Sequence, residues 1–166
     1  IAVMLLLFVC GCVRIPDGVV PVTDFEINRY LGTWYEIARL DHSFERGLSR
    51  VPAHYSLGEG GVIQVVNRGY DRQRNRWKEA RGKAYFIDST RSGRLKVSFF
   101  GPFYGGYNII ALDRERYNHA LVCGPSRSYL WILSRTSTLT PDTLQALIGT
   151  AKSLGFATEN LIYVEH

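Results

Sequence analysis

The 166 residues carry 46% apolar and 13% aromatic side chains, enough for one sizeable core and too little chain for two domains. A net charge of +5 fits nucleic acid, an anionic membrane surface or an acidic ligand equally well, so the position of the charges has to decide. No internal repeat or low-complexity stretch interrupts the chain.

The first twelve residues carry no charge and are too short to span a bilayer, which takes about 20 residues of helix. Residues 1–11 are expected to be the apolar part of a secretion signal that lacks its first residues. Val9-Cys10-Gly11-Cys12 places a small residue before a thiol and resembles the lipobox of bacterial lipoproteins, which implies that Cys12 is acylated after cleavage. By the same analogy, Val13 in place of Asp implies delivery to the outer membrane. Cys10 is then discarded, and Cys123, in the apolar run Ala120-Leu121-Val122-Cys123, is expected to be a small core residue with no partner to bridge. Val13 to Thr23 show no period, so 12–24 are read as the lipidated Cys and a tether. A dozen residues at roughly 3.3 Å each would let the domain hang up to about 40 Å from its anchor.

Beyond the tether the chain breaks into short alternating runs separated by Gly, Pro, Asp and Asn, the pattern of antiparallel strands joined by short turns. Eight runs precede the only predicted helix: 33–40, 51–57, 62–70, 77–86, 95–100, 107–112, 119–124 and 129–134. Eight such strands can close into an up-and-down barrel that holds one small ligand and leaves no edge. Thr140 can cap the helix, Pro141 suits its first turn and Gly155 stops it, with Leu144, Leu147, Ile148, Ala151 and Leu154 on one face. Tyr35, Ile37, Leu130 and Ile132 are expected to form the outer wall on which that face packs. A short strand at 161–164 follows. The expectation over 25–166 is an all-β domain, an eight-stranded antiparallel barrel with one helix outside.

Tyr30-Leu31-Gly32-Thr33-Trp34-Tyr35-Glu36 opens the first run, Ala111-Leu112-Asp113-Arg114 closes the sixth and Leu133-Ser134-Arg135 closes the eighth. In this order, with this helix after them, they resemble the three signature regions of lipocalins. The stretches 32–39, 97–108 and 129–135 look like those of bacterial lipocalin lipoproteins. Alternating strand direction puts all three regions at one end of the barrel. Gly32, Trp34, Asp113 and Arg135 are therefore expected to close that end, with Arg135 laid over the Trp34 ring, and to bind nothing. The resemblance implies carriage of a fatty acid or lysophospholipid-like ligand without a cofactor, at the periplasmic side of the outer membrane, for membrane maintenance under stress.

If Trp34 points inward, so do Glu36 and Ala38. The other runs are phased by their apolar members to give Ala53, Tyr55, Val65, Asn67, Ala80, Gly82, Ala84, Val97, Phe99, Tyr107, Ile109, Ala120, Val122, Trp131 and Leu133. Ala80, Gly82 and Ala84 leave one face of the fourth run almost bare, as an interior left open for a ligand would require. The opposite end collects Arg46, Arg50, Arg72, Arg74, Arg76, Lys78 and Arg127 against Asp41, Glu45 and Asp71, which suggests an anionic head group above an apolar tail. The remaining rim loop, 101–106, is apolar and suited to contact a membrane or a second copy of the chain as a homodimer.

Three other classes compete with carriage. No nucleophile elbow, phosphate loop or paired metal-ligand spacing is present and His42, His54, His119 and His166 are scattered, which disfavours an enzyme and a bound metal. Nucleic acid is disfavoured because the aromatics are assigned inward. A sealed structural envelope lipoprotein is the third alternative.

Overall fold

The structure, a computed structural model, describes residues 13–166. Cys10, Cys12 and the rest of the expected signal lie outside the described residues. Eight strands form the wall: β1 (Gly32–Arg39), β3 (Pro52–Leu57), β4 (Ile63–Asp71), β5 (Arg76–Phe86), β6 (Arg94–Phe100), β7 (Phe103–Leu112), β8 (His119–Cys123) and β9 (Leu130–Ser134). Each pairs antiparallel with the next, and β9 returns to β1, Tyr35 opposite Ser134 and Arg39 opposite Trp131. Two short strands extend this barrel: β2 (Leu48–Ser49) on β4 and β10 (Ile162–Tyr163) on β1.

The alternating runs place the wall strands well, and the departures have local causes. The expected rim loop 101–106 is a tight hairpin, with Phe100 opposite Phe103, so β7 begins four residues before the predicted start. The reading of a single helix is corrected by α1 (Ile27–Tyr30), whose one turn is too short to show a period. In β1 the register against β9 shifts between Glu36 and Ala38. This bulge breaks the alternation: Ala38, expected inside, joins Ile37 in the outer cluster, and Arg39 turns back to Glu36.

Helix α2 (Pro141–Ser153) begins where the Thr140 hydroxyl accepts the Thr143 N–H, and Gly155 follows it at φ +84°. Its five predicted apolar residues pack on Ile37, Leu130, Ile132 and the edge of Tyr35, outside the barrel. Cys123 belongs to the same cluster, fully buried, and burial pushes its thiol up to about 12, so it is a packing residue.

Residues 13–23, expected to hang free, are instead a strap on the barrel. The Val22 N–H donates to Ile109 O at 2.9 Å and Val22 O accepts from Gly93 at 2.8 Å. Asn108 Nδ2 donates to Arg14 O and Arg127 Nη2 to Asp17 O, and Val19 and Val22 are buried. Two valines with somewhere to pack, and carbonyls with side-chain donors in reach, outweigh the freedom a spacer would keep.

The closed end is assembled by Arg135. Its guanidinium donates to the carbonyls of Thr33 (3.0 Å), Arg29 (2.7 Å) and Tyr117 (3.2 Å) and lies 4.0 Å over the Trp34 ring, whose Nε1 donates to Tyr30 O. The Asp113 carboxylate accepts the backbone N–H groups of Glu115, Arg116 and Asn118 and so holds the β7–β8 turn. Gly32 enters β1 at φ +98°, which a side chain would strain. Arg135→Ala should lower the unfolding free energy by about 2–4 kcal/mol, because it strands partly buried carbonyls as well as removing the ring contact. A urea midpoint shift at unchanged slope checks this; an unchanged midpoint would mean that the closed end is held by apolar packing alone.

Candidate functional site: the barrel cavity

Above this floor the barrel is hollow. The cavity is about 450 Å³, within the range of small-ligand sites, and its wall is mainly hydrocarbon and aromatic. Near the floor three phenols form a chain, Tyr30 to Tyr107 at 2.7 Å and Tyr107 to Tyr55 at 2.9 Å between hydroxyl oxygens. Burial raises the pKa of all three, so they stay neutral.

The carboxyl groups of the upper half come from β1 and the loop after it. Arg39 Nη1 donates to Glu36 Oε1 at 2.8 Å in a fully buried pair, and Arg39 Nη2 also holds the carbonyls of Glu45 and Leu48, which folds residues 40–49 into the mouth. Glu45 Oε2 accepts from His42 Nε2 at 2.9 Å and from Trp131 Nε1 at 3.0 Å. Burial opposes ionisation of Glu45, but these two hydrogen bonds outweigh it and hold the carboxyl below the ordinary glutamate range. Burial and the neighbouring Glu45 charge push Glu36 well above that range, against the pull of Arg39. Glu45, the more readily ionised of the two, is framed by the rings of His42, Phe44, Tyr129 and Trp131. His42 Nδ1 and Asn67 Oδ1 are buried without a hydrogen-bond partner, and both residues line the cavity.

The connectivity, the closed end and the hollow centre already describe one kind of barrel. A lipocalin-like domain profile matches residues 25–166. The chain is a lipocalin. The outer membrane lipoprotein Blc of Vibrio cholerae is 56% identical to it over 155 residues, 93% of this chain and 91% of the relative. The Escherichia coli K12 protein of the same name is 54% identical over 160 residues, covering 96% and 90%. Insecticyanin from the tobacco hornworm shares the fold at 20% identity, with a TM-score of 0.72 over 92% of this chain and 87% of the insecticyanin chain.

In this lipocalin Ala53, Tyr55, Val65, Asn67, Ala84, Val97, Phe99, Tyr107, Ile109, Trp131 and Leu133 line the cavity, as does Glu36. Ala80, Gly82, Ala120 and Val122 do not. By register Ala80 and Gly82 share the inner face with Asn67 and Val65. The Phe99 ring lies over Gly82, where a Cβ would come within 2.8 Å of it. The bare face of β5 thus seats an aromatic ring as well as leaving space. Ala120 and Val122 are fully buried in the inner apolar cluster.

The basic rim does not reach the cavity: among the described residues no Lys or Arg lines it. Arg46 pairs with Asp41, Arg74 and Lys78 with Asp71, and Arg72 with Glu165. Arg127 binds the carbonyls of Asp17 and Leu154, Arg50 lies over the Tyr70 ring, and Arg76 stands exposed at the start of β5. The mouth residues His42, Phe44 and Glu45 were missed as lining because a loop has no period from which side-chain direction can be read. Glu45, counted among exposed rim acids, is only 7% exposed. Phe25, Ile27 and Tyr30, from the segment before β1, also line the lower cavity.

The carboxyls give opposite pH slopes. Glu36 has a folded pKa above its unfolded value, so the stability it contributes is complete in acid below the ordinary glutamate range and is lost as pH rises through the folded value. Glu45, Asp71 and Asp113 have lowered values, and their contribution is lost only as pH falls below the ordinary range. Stability should therefore decline with rising pH above the glutamate range. Glu36→Gln should flatten that decline in urea titrations run across pH, whereas an identical slope in the variant would remove Glu36 as its source.

Proposed function

We propose that this lipocalin binds and carries a single-chain lipid amphiphile at the outer membrane, held to the periplasmic face through an acylated Cys12, and performs no chemistry on it. The cavity carries the reading: a largely apolar volume of about 450 Å³, with carboxyl groups at its mouth end and three phenols near its floor, suits an alkyl tail with a polar head. Relatives named as outer membrane lipoproteins support the location. The phenols on the wall are kept neutral and the ionised carboxylate is already bonded to His42 and Trp131, which favours holding a ligand over attacking it.

The polar end refines the ligand. His42 Nε2 is committed to Glu45, and Asn67 Oδ1 and the Glu45 carboxylate are acceptors at this end. A bare fatty-acid carboxylate would face these acceptors with a charge of the same sign as that on Glu45. A lysophospholipid-like head that brings ammonium or hydroxyl hydrogens would satisfy them, and the surrounding rings suit an ammonium group. The head group is thus chosen by the interior acceptors and not by the rim cations, and service in membrane maintenance is the role such a carrier would fill.

Lysophosphatidylethanolamine should displace a fluorescent fatty-acid probe at lower concentration than palmitic acid of the same chain length. The reverse order would remove the head-group assignment while leaving the tail site in place. Ala84→Trp should keep native circular dichroism and weaken both ligands about tenfold or more by filling the cavity. Unchanged binding in that folded variant would place the ligand elsewhere.

A further inference from the structure

The barrel wall has a seam. β5 pairs with β4 from Arg76 to Ala84 but with β6 only from Lys83 to Phe86, so β5 and β6 part on the mouth side of Lys83 and Ser98. A second cleft, of about 530 Å³, opens there. Val65 and Phe99 line this cleft and the ligand cavity alike, so the two volumes are separated by little more than the Phe99 ring over Gly82. A Cβ at position 82 would come within 2.7 Å of the Ser98 carbonyl oxygen; glycine is what lets β6 approach this closely.

The chemistry of the cleft is the reverse of the cavity's. By register Gln64, Arg81, Lys83 and Ser98 share the outer face of the wall, and all four line the cleft. Among the described residues no carboxylate lines it. Arg81 donates Nε and Nη2 to Glu79, at 2.9 and 2.7 Å, which leaves Nη1 uncommitted. Ser98 Oγ is enclosed and has no hydrogen-bond partner, a cost that a bound acceptor would remove. Two cations and a hydroxyl donor around one gap match an anion with several oxygens.

In a lysophospholipid-like amphiphile such an anion, the phosphate, stands between the acyl tail and the ammonium group. Along the inner face of β4, Val65 at the seam stands between Ile63 in the apolar cluster and Asn67, whose Oδ1 has no partner. Val65 and Asn67 are roughly 7 Å apart along the strand, a span that a two-carbon ethanolamine spacer suits. The cavity itself offers the phosphate no cation among the described residues. We propose that the β5–β6 seam is a phosphate site, in which Lys83, Arg81 and Ser98 Oγ take the phosphate through the wall once the Phe99 ring turns off Gly82, while the tail stays in the cavity and the ammonium lies toward Glu45. The site rests on the lysophospholipid reading above and deepens it, adding the donors that the interior acceptors lack. A free phosphate ion would find the same donors from outside.

The test uses the chain carrying Cys12→Ser, so that it bears no acyl chains of its own, and two ligands of equal chain length and no net charge, lysophosphatidylethanolamine and a monoacylglycerol. Lys83→Gln with Arg81→Gln should weaken lysophosphatidylethanolamine about tenfold, less in high salt, and leave the monoacylglycerol unchanged. Ser98→Ala should act in the same sense by a smaller factor, and Lys83→Arg with Arg81→Lys should restore affinity. Removing two rim cations instead, by Arg72→Gln with Arg76→Gln, should change neither ligand. Unaltered lysophosphatidylethanolamine affinity in a seam variant with native circular dichroism would overturn the phosphate site and leave the lipid reading standing. A wild type that binds neither ligand would overturn both. Inorganic phosphate whose phosphorus NMR line broadens with the wild type and not with the seam variant, at equal lysolipid affinity, would assign the donors to the free ion and overturn the lipid head as occupant.

Discussion

The guanidinium of Arg135 ties three segments that lie far apart in sequence: the turn before β1, the start of β1 itself and the β7–β8 turn. A filled core would hold these together through many interchangeable contacts. This barrel keeps its centre empty, so it depends on a few specific ones at its closed end. Trp34 supplies the apolar surface there and Arg135 the directional bonds, and neither could replace the other. Everything above them, including the cavity, is possible because the floor does not need the interior to be packed.

The second place where the fold concentrates its polar bonds is the mouth. Arg39 is almost completely buried, yet it organises the loop that brings Glu45 and His42 over the cavity. Removing a charge pair from water is costly, and here the cost is offset in part by the hydrogen bonds from Arg39 Nη2 to the carbonyls of Glu45 and Leu48. A bulge in β1 makes this possible, since regular alternation would have pointed Arg39 outward with Ile37.

Most of the scaffold was legible because it is periodic. The eight wall strands, the capped helix and its apolar face follow from alternation and capping residues, and the closed-end residues follow from the family resemblance. What escaped was aperiodic: the bulge at Glu36–Ala38, the loop 40–49, and the strap, whose Val19 and Val22 show no alternation although both are buried. The basic rim is the instructive case. Its residues cluster in sequence as predicted, but Asp41, Asp71 and Glu165 pair with four of the seven, Arg46, Arg72, Arg74 and Lys78, and Arg127 is taken by backbone carbonyls. Charge counts identify the end of a barrel at which cations gather; they do not say which way each side chain turns.

The three linked phenols have a property that their distances alone do not display. Three hydroxyls carry three hydrogens, and two links use two of them, so one donor is left over. Because either oxygen of each link can donate, that surplus hydrogen can reside on Tyr30, Tyr107 or Tyr55 without any heavy atom moving. The lower cavity thus offers a relocatable proton donor: a guest with an oxygen at any of three positions can be met by rotating hydroxyls. Tolerance to guests of different length is therefore built into the wiring of the chain and needs no slack in the wall.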